Sequence, residues 1–424
     1  MKNKWTFTLL AVCCFGWSAA VVAQPPSPGA GVPMSTPNLY APPVDFVPIP
    51  CPVVSAPTAV LQDPPGDFPA RVSIEFEHIM RWVSTQRATP LATVGPSTDP
   101  IPAALGQPNT QVALGKFDTD RMHYGGKLTV GVGVDDVGAF AIQASTFWLS
   151  DAGTRSLLSS GGTPGSAVLA RPFFNVVAGT QAADPVAFPR LSSGSLQFDA
   201  NRRFYGGDLA LRYLYYGNVG SDEAHAYFLI GPTYFSLEES LKIQENSQDL
   251  PGLGVAGNSY YLRERFSTRD NFFGGQVGID CLTRLGPVFV QGVAKLGIGE
   301  VFQITQRDPF VRITEPNGVV TSSSDRALYI SPANAGKTSR ALFAVMPEGM
   351  IRAGYDFNQY VQVSAGYSVL YLNNVARPGD QIDRNVIVQP VGTNATFVSR
   401  GNGPTSRSTD FLSQGLNVAL RLSF

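Results

Sequence analysis

Few side chains in this sequence are of the types that carry out catalysis. Histidine, the most frequent general base, occurs at only three positions, His78, His123 and His225. His123 lies near Asp120 and could act as a base, but a single His beside an Asp is far more often structural. The sequence contains no Gly-x-Ser-x-Gly elbow, no His-Glu-x-x-His metal site and no P-loop. We therefore expect no enzyme activity, no catalytic residue, no metal and no cofactor.

Charged side chains on the polar face of alternating segments are the remaining candidates for chemistry, as the lining of a pore. Five are acids and six are bases, so their charges nearly cancel. This balance leaves two hypotheses open: a weakly selective channel, or a ladder of ion pairs across a narrow or plugged lumen. The candidates are Glu75, Glu77, Arg81, Lys127, Asp208, Arg212, Asp280, Lys295, Glu348, Arg352 and Arg421.

Five further charged residues fall in segments that we expect to be loops. They could fold inward as a constriction, or they could hold the loops together. These residues are Arg171, Arg377, Asp380, Asp383 and Arg384.

Composition excludes several classes of protein. Only 15% of the 424 residues are charged, against about 25% in typical soluble domains, and 44% are hydrophobic. The formal net charge is −1, which gives no reason to expect a nucleic-acid partner. The 43 glycines and 33 prolines would break long helices and suit strands joined by turns.

Period-two alternation is the main structural signal after residue 70. Apolar residues at 361, 363, 365, 367, 369 and 371, for example, alternate with small or polar residues, which gives the two faces of one strand different chemistry. A local pattern of an aromatic residue, Gly-Gly, a polar residue and an apolar residue occurs at 124–128, 205–209 and 273–277, and we expect each copy to open a strand. The alternation predicts ten strands, near 71–82, 124–134, 139–149, 204–216, 224–243, 267–282, 288–304, 341–357, 360–374 and 413–424.

The connections between these strands alternate strictly between long and short. The short ones contain turn-forming residues, as in Asp135–Gly138 and Gly286-Pro287. An even number of strands with long loops at one end and short turns at the other is typical of an outer-membrane barrel. We therefore predict an all-β, antiparallel, up-and-down transmembrane β-barrel of about ten strands, within a range of 10–14, over residues 71–424.

The last predicted strand has the most specific pattern. Apolar residues from Leu416 to Leu422 occupy every second position, and the sequence ends at the aromatic Phe424. A terminal aromatic residue on an alternating strand resembles the signal that the barrel-assembly machinery recognises. We expect Phe424 to serve as that signal, with the machinery and outer-membrane lipid as partners.

Four segments give the chain a resemblance to a known family, the outer-membrane β-barrel porins of family seven. They are 168–175 (VLARPFFN), 271–278 (NFFGGQVG), 370–384 (LYLNNVARPGDQIDR) and 409–424, and the run from Arg377 to Arg384 is the most diagnostic. The resemblance covers roughly residues 71–424. It implies an outer-membrane barrel with a pore-forming role, and it implies no particular substrate or catalytic residue. The first strand departs from the family's tryptophan-rich pattern, since only Trp82 is present.

The N-terminal residues are typical of an export signal. Lys2 and Lys4 precede an apolar stretch, and small residues before Ala23 suit cleavage by signal peptidase. An uncleaved anchor and lipidation at Cys13 are the weaker alternatives. Residues 24–70 are rich in proline and predict an extended periplasmic linker. In the mature chain, Cys51 and Cys281 are too few to form a disulfide framework.

Taken together, these patterns predict an exported protein of the cell outer membrane. The first functional hypothesis is a porin that lets small hydrophilic solutes diffuse passively. The alternative is a structural or surface-interaction barrel with a narrow or plugged lumen, whose long loops bind something outside the cell. The sequence favours no particular oligomeric state.

Overall fold

The computed structural model describes residues 72–84, 86–117, 122–135, 138–217, 224–250, 257–324, 326–391, 394–399 and 406–424. The predicted export signal at 1–23 and the predicted linker at 24–70 lie outside these residues, as do Cys51 and Asp120. The predictions about them therefore stay predictions.

Strands dominate the described residues, and one short 3-10 helix lies at Pro378–Gln381. No helix in the described part of the chain is long and apolar enough to cross a membrane. The strands are β1 (Val72–Val83), β2 (Gln86–Gly95), β3 (Gln111–Phe117), β4 (His123–Gly133), β5 (Phe140–Leu149), β6 (Ala152–Ser160), β7 (Val168–Asn175), β8 (Thr180–Ala187), β9 (Ser192–Tyr216), β10 (His225–Asp249), β11 (Ser259–Leu285), β12 (Val288–Thr314), β13 (Val320–Ser323), β14 (Gly336–Asp356), β15 (Val361–Val375), β16 (Asn385–Val391), β17 (Asn394–Ser399) and β18 (Thr409–Ser423).

Ten of these strands form a closed antiparallel ring, which confirms the predicted barrel and its strand count. The order around the ring is β1, β4, β5, β9, β10, β11, β12, β14, β15 and β18, and β18 pairs with β1 to close it. The closing pair runs in continuous register from Ser73 opposite Ser423 to Val83 opposite Ser413. Closure leaves no unpaired edge in the ring, as a bilayer requires.

The outward face of the ring is an apolar belt. Its side chains alternate with inward polar ones along each strand, because successive residues point to opposite faces. A girdle of aromatic side chains borders the belt on the side of the long connections. It consists of Tyr124, Trp148, Tyr205, Tyr234, Phe273, Phe302 and Phe343. Exposed members of the belt include Ile74, Phe76, Leu128, Ile142, Leu209, Leu211, Ile230, Val277, Ile279, Ile298, Leu416, Val418 and Leu420.

The predicted aromatic-Gly-Gly pattern marks this border, but it does not open each strand as expected. Tyr205 and Phe273 lie within β9 and β11, because those strands continue well beyond the belt. The glycines permit close packing at this level. A Cβ atom on Gly206 would lie 2.8 Å from the ring of Phe147.

The long connections fold into a second β-structured unit, which we call the head. Strands β17, β16, β7, β2 and β3 form its sheet, and β8 pairs with β7. The head packs on the inward face of the extended strands β9, β10 and β11. Their shared core consists of Leu91, Leu169, Phe173, Val186, Phe198, Leu241, Ile243, Phe266, Tyr329, Ile330 and Val386, among others.

Candidate functional site: the barrel lumen

The structure places the eleven predicted pore-lining side chains on the inward face of the ring. Nine of them surround one cavity near the short-turn end, together with Gln291, Ser73 and other residues. This cavity has a volume of only about 50 Å³. A buried water needs at least ~10–15 Å³, so the cavity holds a few waters at most. Whether these residues line a permeation path stays a prediction.

Ion pairs fill the space that an open lumen would leave to water. The Arg352 guanidinium donates to both carboxylate oxygens of Glu75, at 2.7 and 3.0 Å. Gln291 joins this pair to the next, because its oxygen accepts from Arg352 at 2.7 Å and its amide donates to Asp280 at 2.5 Å. Arg212 completes the chain by donating to Asp280 at 2.7 Å. The two pairs therefore form one network across strands of the ring.

Two further pairs lie on the same inward face. Lys295 donates to Asp208 at 3.0 Å, and Lys127 lies 3.5 Å from Glu77, which also accepts from the Asn417 amide at 3.0 Å. The side chain of Glu77 is only 3% exposed and that of Lys295 only 6%. Carboxylates and amines that lined a water-filled pore would be far more accessible. We call these residues and the Glu75–Arg212 network the ion-pair layer.

The remaining three candidates lie beside this layer. Arg421 donates to the Ser73 hydroxyl at 3.2 Å, and Glu348 borders the same cavity. Arg81 lies on the same face of β1, nearer the head, and donates to the backbone carbonyl of Ser368 at 2.9 Å.

An apolar layer lies directly beyond the ion-pair layer, on the side of the head. We call it the phenylalanine layer: it is formed by Phe204, Phe235, Phe272 and Phe411, which are all inward-facing and at most 2% exposed. The ring of Phe204 lies 5.4 Å from that of Phe411 and 6.0 Å from that of Phe235. Edge-on and tilted contacts at these distances are favourable and exclude water. The layer separates the ion-pair layer from the head.

A chain segment at the end of β15 enters the mouth of the barrel above the phenylalanine layer. Arg377 donates to both oxygens of Glu239 at 2.8 Å, and Arg202 pairs with the same carboxylate. The backbone N–H of Ala376 donates to the inward-facing Asp270 at 2.8 Å. Of the two hypotheses for the charged loop residues, the contacts of Arg377 therefore favour holding a loop in place.

The other charged loop residues also hold the head together. Arg171 is 1% exposed, pairs with Glu264 and Glu245, and lies over the ring of Tyr329 at 4.6 Å. Arg384 donates to the carbonyl of Pro172 at 3.1 Å. In the same segment, the Asp383 carboxylate accepts from the backbone N–H of Asn385, and the Asp380 N–H donates to the carbonyl of Arg377.

The histidine that the sequence marked as a candidate base lies within this packing. His123 is 1% exposed, and its ring lies 5.9 Å from that of Phe204. Within the described ranges, no group of three or more His, Cys, Asp or Glu side chains could hold a metal ion.

The alternating pattern predicts the charged side chains of the lining but not the polar side chains that connect them. Gln291 lies between Val290 and Gly292, where alternation with the outward valines could have marked it as inward-facing. Glu239, Glu245 and Glu264 lie in the extended part of the strands, where both faces carry polar residues. There the alternation no longer distinguishes the two faces.

Comparison with known proteins supports the barrel assignment. A family model described as Putative beta barrel porin-7 matches residues 74–424. No curated protein matches the chain.

Among solved structures, the chain is similar to the outer membrane protease OmpT from Escherichia coli, at 9% identity and a TM-score of 0.39, over 85% of this chain and 99% of that one. It is also similar to a FadL homologue of Pseudomonas aeruginosa, at 7% identity and a TM-score of 0.20, over 83% and 90%. The toluene transporter TodX of Pseudomonas putida matches at 10% identity and a TM-score of 0.18, over 83% and 89%. At these values the likenesses carry no argument about function.

Proposed function

The chain belongs to the Putative beta barrel porin-7 family, and we propose that this outer-membrane barrel is closed in its resting state and holds its head at the cell surface. The observation that carries the proposal is the lumen, where the ion-pair layer encloses a cavity of only about 50 Å³. The phenylalanine layer adds a second, apolar seal. A solute would have to displace both layers.

In this proposal the barrel acts as an anchor and the head as the working surface. A buried network of ion pairs holds a unique arrangement of strands but is costly to open, since removing one partner leaves an uncompensated charge. The interior therefore suits a rigid support better than a permanently open pore. The proposal assigns no catalysis to the chain, and the candidate base His123 is 1% exposed and lies against the ring of Phe204.

Passive diffusion of small hydrophilic solutes is the second candidate. The family's name and the eleven charged side chains on the inward face favour it. It requires the ion-pair layer, the phenylalanine layer and the Arg377 segment to move.

Conductance in planar bilayers separates the two candidates. Protein refolded into detergent is first checked for heat-modifiable gel mobility, which reports a folded barrel. We expect efficient insertion of folded protein without steady conductance at voltages of either sign. Stable ohmic steps from the same preparation would contradict the closed barrel and support the diffusion channel.

Export and assembly complete the proposal. Cleavage after Ala23 would release a mature chain to the periplasm, and β18 would present Phe424 to the barrel-assembly machinery. Phe424 lies at the seam, where its N–H donates to the carbonyl of Val72 at 2.8 Å. Equal amounts of folded protein in the outer membrane for wild type and Phe424→Ala would argue against this signal.

A further inference from the structure

A strip of basic side chains runs along the outward face of the extended strands, beyond the girdle of aromatic side chains. Cross-strand register places its members side by side, for example Lys242 opposite Arg265, and Arg265 opposite Asp308. Among the described residues, the acids on this face are Asp199, Glu238 and Asp308 on the strands and Asp151 beside Arg203, in a chain whose net charge is −1. We call the seven bases the basic strip: Arg203, Lys242, Arg263, Arg265, Arg269, Arg312 and Lys337.

Ion pairs within the chain neutralise only some of the seven bases of the basic strip. Glu238 lies between Arg203 and Arg269, at 2.5 and 2.9 Å, so one negative charge serves two positive ones. Lys242 pairs with Asp199 at 3.0 Å. Among the residues that the structure describes, the other four bases, Arg263, Arg265, Arg312 and Lys337, have no carboxylate within 4.0 Å. These four charges are available to a ligand.

Aromatic contacts pre-organise the distal end of the strip. The guanidinium of Arg312 lies over the ring of Tyr261, and that of Arg263 lies over the ring of Phe310, each at 5.3 Å. A stacked guanidinium loses less rotational freedom when it binds an anion, because its plane is already fixed.

The strip is elongated and concave. It contains three concavities. The first, of about 530 Å³, is lined by Arg269 and Lys337, and the second, of about 840 Å³, by Lys242 and Arg263. The third, of about 320 Å³, is lined by Arg312 and its neighbours. Along β11, the eight-residue step from Arg269 to Tyr261 spans roughly 27 Å at about 3.4 Å per residue. A ligand that contacts the whole strip is therefore a chain molecule rather than a small ion.

We propose that the basic strip binds a linear acidic polysaccharide at the cell surface. Bases on one face of a strand are about 7 Å apart, which suits a chain with spaced carboxylates better than duplex nucleic acid, which carries one charge per about 1.7 Å of helix axis. Hydroxyl and amide side chains lie between the bases and can bond to sugar hydroxyls, namely Ser240, Gln244, Ser267 and Gln306. This inference rests on the proposed function for the placement of the head outside the cell.

The test measures binding of polygalacturonate to the full mature chain in detergent micelles by isothermal titration calorimetry. We expect binding that weakens as NaCl rises from about 50 to about 300 mM, because the pairing is screened. Neutral dextran should not bind. The double variant Arg265→Glu, Arg312→Glu reverses two exposed charges that have no acidic partner, and it should weaken binding at least about tenfold.

Arg407→Glu is the matched control, since Arg407 is an exposed arginine outside the strip, and it should bind like wild type. Unchanged affinity in the double variant, or no binding of polygalacturonate by the wild type at low salt, would overturn the inference. Equal affinity for a thymidine oligonucleotide would also overturn it, in favour of a nucleic-acid surface. Heat-modifiable mobility is recorded for each sample, so loss of the barrel itself is distinguished from loss of the binding surface.

Discussion

Glu239 and Glu245 lie six residues apart on the inward face of β10, yet their surroundings shift the two carboxyl groups in opposite directions. Burial raises the pKa of both groups by disfavouring the charged form. At Glu239 the attraction of Arg377 and Arg202 outweighs burial and lowers the pKa to about 2. This carboxylate is therefore charged at every pH at which the protein is expected to work.

Glu245 lies where β10 packs against the head, and positive charge compensates the burial of its carboxyl group less completely. Burial and the neighbouring Asp184 carboxylate raise its pKa to about 8, although Arg171 opposes the shift. Burial also raises the pKa of Asp184, to about 6. Asp184, Glu245 and Glu264 therefore share the one positive charge of Arg171. A proton on Glu245 relieves the repulsion between its carboxyl group and that of Asp184.

The raised pKa of Glu245 predicts that the head loses stability as the pH rises. The ordinary pKa of Glu245 is 4.5, and the folded chain keeps the proton up to about pH 8. Between these values the folded state binds more protons, so the free energy of unfolding falls with increasing pH. Glu239 contributes no slope here, because its contribution is lost only as the pH falls from 4.5 towards 2.

We expect Glu245→Gln to remove most of this dependence, because the amide imitates the protonated acid and still accepts from Arg171. The measurement is the midpoint of guanidinium unfolding in micelles from pH 5 to pH 8. Asp184 should leave a residual slope below pH 6. The control is Glu315→Gln in an exposed turn, which should keep the wild-type profile. A wild-type midpoint that rises over this range would contradict the prediction.

At the scale of elements, the ten ring strands could be predicted because one face of each is exposed and apolar and the other faces inward with polar side chains. The predicted strand at 360–374 shows this alternation from residue 361 to residue 371 and corresponds to β15. The alternation ends where the apolar belt ends. Predicted strand 267–282 is therefore shorter than β11, Ser259–Leu285, whose outer part is polar on its outward face.

The head was missed for a different physical reason. Strand β7, VLARPFFN, is buried on both faces from Val168 to Phe173, so it shows no alternation. The sequence also does not show which charged side chains pair with each other inside the lumen. Alternation placed Glu75 and Arg352 on inward faces, but only the closed ring brings together side chains 277 positions apart.

The phenylalanine layer couples the ring strands to one another across the lumen. Phe411 is fully buried and its ring contacts those of Phe204 and Phe235, at 5.4 and 5.6 Å. Phe411→Ala should lower the free energy of unfolding by about 3–5 kcal/mol, because it leaves a void among aromatic rings. The guanidinium midpoint in micelles measures this loss.

Phe343→Ala is the control for that substitution. Phe343 belongs to the girdle of aromatic side chains on the outward face of the barrel and is 64% exposed, so detergent fills the space that its side chain leaves. A loss as large as that of Phe411→Ala would indicate that contacts with the amphiphile, and not packing inside the lumen, hold the strands together.

At the scale of the whole molecule, the two ends of the barrel differ in the amount of structure they carry. The short turns, such as Gly286-Pro287 and that at Asn358, end close to the apolar belt. Strands β9 to β12 extend beyond the belt at the opposite end and support the head. An extended end of this kind is expected outside the cell, because periplasmic turns of outer-membrane barrels are short.

Labelling of intact cells with a membrane-impermeant maleimide tests this orientation. Single cysteines are placed at Ser259 in the distal part of β11 and at Asn358 in a short turn, on a background with Cys51→Ser and Cys281→Ser. We expect Ser259→Cys to react on intact cells and Asn358→Cys to react only after the outer membrane is permeabilised. The reverse pattern would place the head and its basic strip in the periplasm, where a ligand would have to cross the membrane first. Because the closed lumen that we propose would offer no such route, orientation decides which molecules the head can meet.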